Sequence, residues 1–173
     1  MPRIVLYQPQ IPPNTGNVAR TCAATGSPLH LVEPLGFQIN DRQLRRAGLD
    51  YWPLVQLTLH RDWDALERQR GERGGRLVLL STHATRPYTS FSFEADDWLL
   101  FGRESDGLPA EIHDRCEHRL SIPLARPQTP PLGAAPGAVR SLNLSVAVGV
   151  VLFEALRQLD APVRMQEGAT PSG

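Results

Sequence analysis

Short apolar runs alternate with longer segments of helical spacing along most of this chain. Arg3–Tyr7 reads as a first buried strand. Thr15–Thr25 follows with helical spacing and stops at Gly26, a good helix terminator. Leu29–Glu33 is a second strand, and Asp41 can cap a helix that carries Leu44 and Ala47 and ends near Gly48. Val55–Leu59 is a third strand. Asp62–Arg70 is an exposed helix broken by Gly71-Glu72-Arg73-Gly74-Gly75, and Leu77–Ser81 is a strong strand. Trp98–Phe101 is another, directly before Gly102; Pro109–Cys116 is a short helix, Arg119–Ile122 a last strand, and Ser141–Leu159 a long helix.

Strands that are nearly continuous in apolar residues, separated by helices, predict an α/β fold: a mostly parallel sheet with helices on both faces. Val146–Phe153 is apolar all round, so the last helix is expected to be largely buried. Ala125–Ala138, rich in Pro, Gly and Ala, is not regular structure. The expected organisation is one domain over residues 1–160 with an inserted Pro/Gly-rich loop at 124–140, and a flexible tail over 161–173.

Composition changes this picture little. At 41% hydrophobic and 21% charged residues the chain reads as an ordinary globular protein, with no apolar run long enough to cross a membrane. The opening Met1-Pro2-Arg3-Ile4-Val5-Leu6-Tyr7 is too short for a signal-peptide core. Cys22 and Cys116 make neither a disulfide framework nor a metal cluster, and fit a cytoplasmic protein with reduced thiols. His30, His60, His83, His113 and His118 show no metal-ligand spacing, so no metal is expected. Glu94, Asp96 and Asp97 read as a solvated turn. The net charge is zero, yet all 18 basic residues are arginine. Composition bias is the simpler explanation, although arginine does suit phosphate and base recognition. Arg42, Arg45 and Arg46 form one basic cluster and Arg68, Arg70, Arg73 and Arg76 another; either also fits a solvated helix face.

Four segments carry the chemistry. Asn14–Arg20 follows the first strand after a Pro-rich turn; Asn14 can cap the helix, and Arg20 lies more than a turn further on. Gly102–Leu108 brackets Glu104 between glycines. Ile122-Pro123 ends the last strand. Ser141, Asn143 and Ser145 open the buried helix, where free N–H groups offer donors. Taken one at a time these are an N-cap, a surface ion pair, a β-to-α turn and another cap. Together they place polar groups and glycines at strand ends and helix starts, the edge where open α/β sheets bind ligands. The glycine spacing is neither a dinucleotide fingerprint nor a phosphate-binding loop, which weakens the alternative of a dinucleotide oxidoreductase.

In this order the four segments resemble the SPOUT superfamily of S-adenosyl-L-methionine-dependent RNA methyltransferases. The resemblance covers about Ile4 to Leu159 and is most specific over Ile4–Asn17 and Leu44–Tyr51. It is greatest toward the compact bacterial subgroup that methylates the ribose 2′-hydroxyl of tRNA position 34, in the anticodon loop. The resemblance implies a C-terminal trefoil knot, a homodimer, S-adenosyl-L-methionine as methyl donor and no membrane association. It implies donor-binding positions at Leu80, Thr82, Gly102, Ile122, Leu124, Ser141 and Leu142, and a reaction edge of Asn14, Arg20, Glu104, Ser141 and Asn143. It further implies RNA contacts from Arg20, Arg42, Arg45 and Arg46. Leu124 through Arg140 departs from the family's short connection at that point. Two alternatives remain open: 2′-O-methylation at another tRNA or rRNA position, and a non-catalytic RNA-binding protein of the same fold.

Overall fold

The computed structural model describes residues 1–38, 49–124 and 141–159. Seven strands form one sheet: β1 (Arg3–Tyr7), β2 (Leu29–Val32), β3 (Leu57–His60), β4 (Leu77–Leu80), β5 (Arg86–Pro87), β6 (Trp98–Phe101) and β7 (His118–Ser121). Their spatial order is β3-β2-β1-β6-β4-β7-β5, and every pairing is parallel. The expected "mostly parallel" sheet is thus parallel throughout. The helices are α1 (Pro12–Thr25), α2 (Trp63–Arg73), α3 (Ala110–Arg115) and α4 (Leu144–Gln158), with 3-10 turns at Leu49–Leu54 and Tyr88–Ser90.

Alternation along each strand divides the core into two layers. Ile4, Leu6, Leu29, Leu31, Val78, Leu99, Phe101 and Leu120 face α1 and α4, meeting Val18, Cys22, Val148, Val151 and Leu152. Val5, Tyr7, Val32, Leu77, Leu79, Trp98 and Leu100 face α2 and α3, meeting Leu66, Ile112 and Cys116. Helices therefore cover both faces, which is why the strands carry so few polar residues.

Several boundaries differ from the sequence expectation, each for a physical reason. Helix α1 begins at Pro12 rather than Thr15, because the missing N–H of a proline costs nothing in a first turn. Helix α2 runs through Gly71 to Arg73. Nothing lies within 4 Å of a Cβ at Gly71, so that glycine costs the helix only about 1 kcal/mol. Gly74, at φ 72°, stops it instead, its N–H donating to the Arg70 carbonyl. The third strand shifts to Leu57–His60, since Val55 closes the preceding 3-10 turn on Trp52. The two-residue β5 and both 3-10 turns carried no pattern to read. Helix α4 is buried along Val148, Val151, Leu152, Ala155 and Leu156, but Val146 and Phe153 are each about half exposed, so its all-round apolar surface is not fully covered. The expected helix from Asp41, the 125–140 part of the inserted loop and the 161–173 tail lie outside the described residues.

Candidate active site

The strand order places a crevice between β1 and β6. The chain runs outward from β1 through β2 to β3, then crosses to build the other half of the sheet. The helix after β1 packs on one face and the helix after β6 on the other, so the two connections diverge where the C-terminal strand ends meet. Such a switch point is where open α/β sheets bind ligands.

The two connections are stapled together by polar side chains. Arg103 donates from Nη1 to Gln8 Oε1 at 3.0 Å, and the Ser105 N–H donates to Gln10 Oε1 at 3.2 Å. Glu104 accepts the N–H groups of Gln10 (2.9 Å) and Ile11 (3.3 Å), amides that the α1 start leaves without helical partners. The 102–108 turn closes on itself through paired N–H···O bonds between Arg103 and Gly107, both 3.0 Å. Gly102 is needed for that closure: a Cβ there would sit 2.5 Å from the Gly107 carbonyl carbon. That glycine thus serves the turn's own backbone.

Asn14 lies inside the first turn of α1 and is buried; Ile11 occupies the cap position. The expectation of Asn14 as a cap therefore fails, because two prolines move the helix start ahead of it. Its side chain instead joins two distant segments. Nδ2 donates to Glu104 Oε1 at 3.2 Å, and Oδ1 accepts from Asn143 Nδ2 at 2.9 Å. Asn143 caps α4, its Oδ1 accepting the Ser145 N–H (2.9 Å) and hydroxyl (2.8 Å). The donors run in one direction, Asn143 to Asn14 to Glu104, and end on a carboxylate, an arrangement in which each hydrogen bond polarises the next.

The positions expected to hold a methyl donor gather along the same edge. Leu80 ends β4, Gly102 follows β6 and Ile122 follows β7, and these three strands are neighbours in the order β6-β4-β7. Thr82 stands exposed in the turn after β4, Leu124 lies three residues past β7, and Ser141 and Leu142 come shortly before α4. Leu80, Ile122 and Leu144 are half-buried against the core. Aliphatic side chains beside strand ends, where the hydrogen-bond ladder stops, suit a flat heteroaromatic base that needs apolar faces and backbone partners at its rim. The residues present therefore fit an adenosyl group.

Arg20 is not part of the Asn14 network. It projects, exposed, one turn beyond Gly16, with its guanidinium carbon 5.4 Å from the centre of the Tyr51 ring. The Tyr51 hydroxyl donates to the Gly16 carbonyl at 2.9 Å. Tyr51, Gln8 and Gln10 had no role in the sequence reading. Tyr51 stood in the resembling stretch Leu44–Tyr51, but nothing in its spacing announced a partner on α1. Arg42, Arg45 and Arg46 lie outside the described residues. In the second basic cluster Arg70 is paired with Glu67 at 2.8 Å and Arg76 with Asp97 at 2.8 Å.

Two further polar groups lie away from this edge. Asp97 is fully buried and holds Arg76 through both carboxylate oxygens, each at 2.8 Å. This corrects its reading as part of a solvated turn; only Glu94 and Asp96 are exposed there. His30 and His60 form a buried pair, Nδ1 to Nε2 at 2.9 Å. Burial first, then the charges of His60, Arg3 and Arg73, push His30 down to about 3. Both cysteines are free and buried, and desolvation pushes the Cys22 thiol up to about 12. Among the described residues no helix is long and apolar enough to cross a membrane.

Comparison with known proteins converges on one family. The model of the SpoU rRNA Methylase family matches residues 1–153. The tRNA (cytidine(34)-2'-O)-methyltransferase of Escherichia coli K12 is 45% identical over 94% of this chain and 96% of its own length. That of Beijerinckia indica is 44% identical over 98% and 99%. A solved structure concerned with 2-OH methylation of C/U34 on tRNA superposes with a TM-score of 0.81 at 49% identity, covering 92% of this chain and 97% of that one. The switch-point crevice, the motifs along it and these likenesses over nearly full length agree: this chain belongs to the SpoU rRNA methylase family.

Proposed function

We propose that this protein transfers a methyl group from S-adenosyl-L-methionine to the ribose 2′-hydroxyl of nucleotide 34 of tRNA, the first anticodon position, in the cytoplasm. The observation that carries the reading is the Asn143–Asn14–Glu104 network at the switch point, in a chain that aligns almost end to end with enzymes named for that reaction.

Bound at this edge, S-adenosyl-L-methionine would supply an electrophilic methyl group on a sulfonium. Leu80, Thr82, Gly102, Ile122, Leu124, Ser141 and Leu142 are the positions that would hold it. The protein's work is then orientation. Asn14 and Asn143 fix the mouth of the crevice between α1 and α4. Glu104 already accepts three N–H groups, which suits it to holding the two connections in place rather than to taking a proton. Ser141 lies exposed three residues before α4 and would complete the reaction edge in this reading. A guanidinium offers five N–H donors and no acceptor, so the role of Arg20 in this reading is to fix the adjacent phosphate and polarise the hydroxyl, not to act as a base. Unpaired anticodon bases and the 2′-hydroxyl are the features by which RNA is usually read. Arg42, Arg45 and Arg46 would add phosphate contacts, making affinity fall with salt.

The reading includes a homodimer and a C-terminal trefoil knot. Val146 and Phe153, two turns apart on α4 and half exposed, supply an apolar stripe that a second copy would cover. Sedimentation showing a monomer at micromolar concentration, indifferent to Phe153→Glu, would overturn the dimer. A crystal structure tracing the chain from Leu124 to Ser141 without threading a loop would overturn the knot.

The test of function is methyl transfer from labelled S-adenosyl-L-methionine to tRNA from a strain lacking the gene, with the product nucleotide mapped by mass spectrometry. The expected product is a 2′-O-methyl group at position 34, reduced to a low but measurable rate with Arg20→Ala and strongly reduced with Arg20→Lys, which lacks the guanidinium fork. Methylation at another position would keep the chemistry and discard the site. No transfer by folded protein that binds the donor would favour the RNA-binding alternative.

A further inference from the structure

An exposed arginine samples many rotamers, and a guanidinium that orients a phosphate must be held in one of them. A carboxylate partner would do so at a cost: it would occupy the donors and neutralise the charge that the substrate needs. Among the described residues Arg20 has no carboxylate within ion-pair distance. It has an aromatic face. The Tyr51 ring lies 5.4 Å from the guanidinium carbon. A ring attracts the cation through its quadrupole and leaves the N–H edges free to donate elsewhere.

The ring is itself anchored. Tyr51 is buried, and its hydroxyl donates to the Gly16 carbonyl at 2.9 Å. In an α-helix the carbonyl of residue 16 is the one that accepts the backbone N–H of residue 20. Tyr51 therefore grips the turn that carries Arg20 and the head of its side chain together. We propose that Tyr51 is a positioning residue for methyl transfer, holding the Arg20 guanidinium toward substrate without spending its charge or its donors. This inference rests on the reading of Arg20 as the group that engages substrate.

Replacing Tyr51 with phenylalanine and then with di- and pentafluorinated phenylalanines keeps the ring's volume while draining its quadrupole. In steady-state methyl transfer to tRNA, kcat is expected to fall stepwise along this series, to about one-fifth at its end. Binding of S-adenosyl-L-methionine should stay level, and the melting temperature should drop once, at Tyr51→Phe with the loss of the Gly16 bond, and stay level along the fluorinated variants. Phenylalanine itself should retain most of kcat. Tyr51→Leu should lower kcat by a similar factor in the wild-type background and by nothing further on top of Arg20→Ala. A flat series, or an equal loss in the Arg20→Ala background, would overturn the proposal and leave Tyr51 a core spacer. Full activity of Arg20→Ala would overturn the underlying reading of Arg20, and the positioning role with it; an impaired Arg20→Ala with a flat series would sink the Tyr51 role alone.

Discussion

Strand β6 carries a carboxylate at each end, and the two are used in opposite ways. Asp97, just before the strand, is fully buried; Arg76 grips both its oxygens and the Glu94 N–H donates to it at 2.8 Å. Its charge is cancelled where it stands. Glu104, three residues past the strand, is half-buried and accepts only neutral donors, two backbone amides and the Asn14 amide. No cation lies within ion-pair distance of it among the described residues. The N-terminal end of β6 is thus closed by an ion pair, and the carboxylate past its C-terminal end has no cation partner among the described residues. Buried ion pairs of the first kind are structural. An organised but unneutralised carboxylate at a switch point is where a positively charged ligand gains most.

Breaking the first carboxylate should cost the most. Asp97→Asn removes the buried carboxylate from Arg76, and about 3 kcal/mol of stability should be lost in urea unfolding, the low end of the usual range because Arg76 is partly exposed and keeps its 3.0 Å pair with Glu94. Methyl transfer per folded molecule should persist. A variant as stable as the parent would show that the two ends of β6 are not so different after all.

Glu104→Gln tests the other end. The amide places an NH2 against one of the backbone N–H donors, loosening the staple between the two connections, so turnover should fall about 10²-fold while the melting temperature barely moves. Normal turnover would mean that the carboxylate serves only the turn.

The smallest effect should appear as a slope. His30 lies beneath Arg3 and Arg73 on the closed side, and its folded pKa is pushed down to about 3. An unfolded histidine titrates at about 6.5. Between these values the unfolded chain binds a proton that the folded protein refuses. The neutral ring's contribution is complete above about pH 6.5 and is lost as pH falls toward 3, by about 1.4 kcal/mol per unit. Urea midpoints at pH 7, 6 and 5 should drift downward in the parent and drift less in His30→Gln. Equal drift would assign the acid sensitivity to other groups, the buried His60 or the carboxylates.

How much of this was legible in the sequence depends on the range of the interaction. Trp98–Phe101 and Arg3–Tyr7 could be read to the residue, because a strand covered on both faces leaves a continuous apolar run. Asp62 was legible as a helix start, and its Oδ1 accepts the Ala65 N–H at 2.7 Å. Asn14, Glu104 and Asn143 were singled out by their segments, but their mutual bonds were not, since nothing local links residues 90 and 129 positions apart. Asp97 was misread for the same reason: its partner Arg76 lies 21 residues away and the acidic neighbours Glu94 and Asp96 suggested solvent. Phe153 was misread because hydropathy measures what a helix wants to bury, not what its own chain supplies to bury it.

The asparagine pair also sets an order of events. Asn14 and its hydrogen-bond partner Asn143 stand 129 residues apart, and β1 pairs with a strand that begins at Trp98. Long-range pairings of this kind pay their loop-closure entropy before they return any contact energy, and they form late. On the ribosome the first turn of α1 is made early and waits for almost the whole chain. The mouth of the crevice closes only after residue 143 has emerged, so a nascent chain carries no finished site among the very tRNAs that are building it.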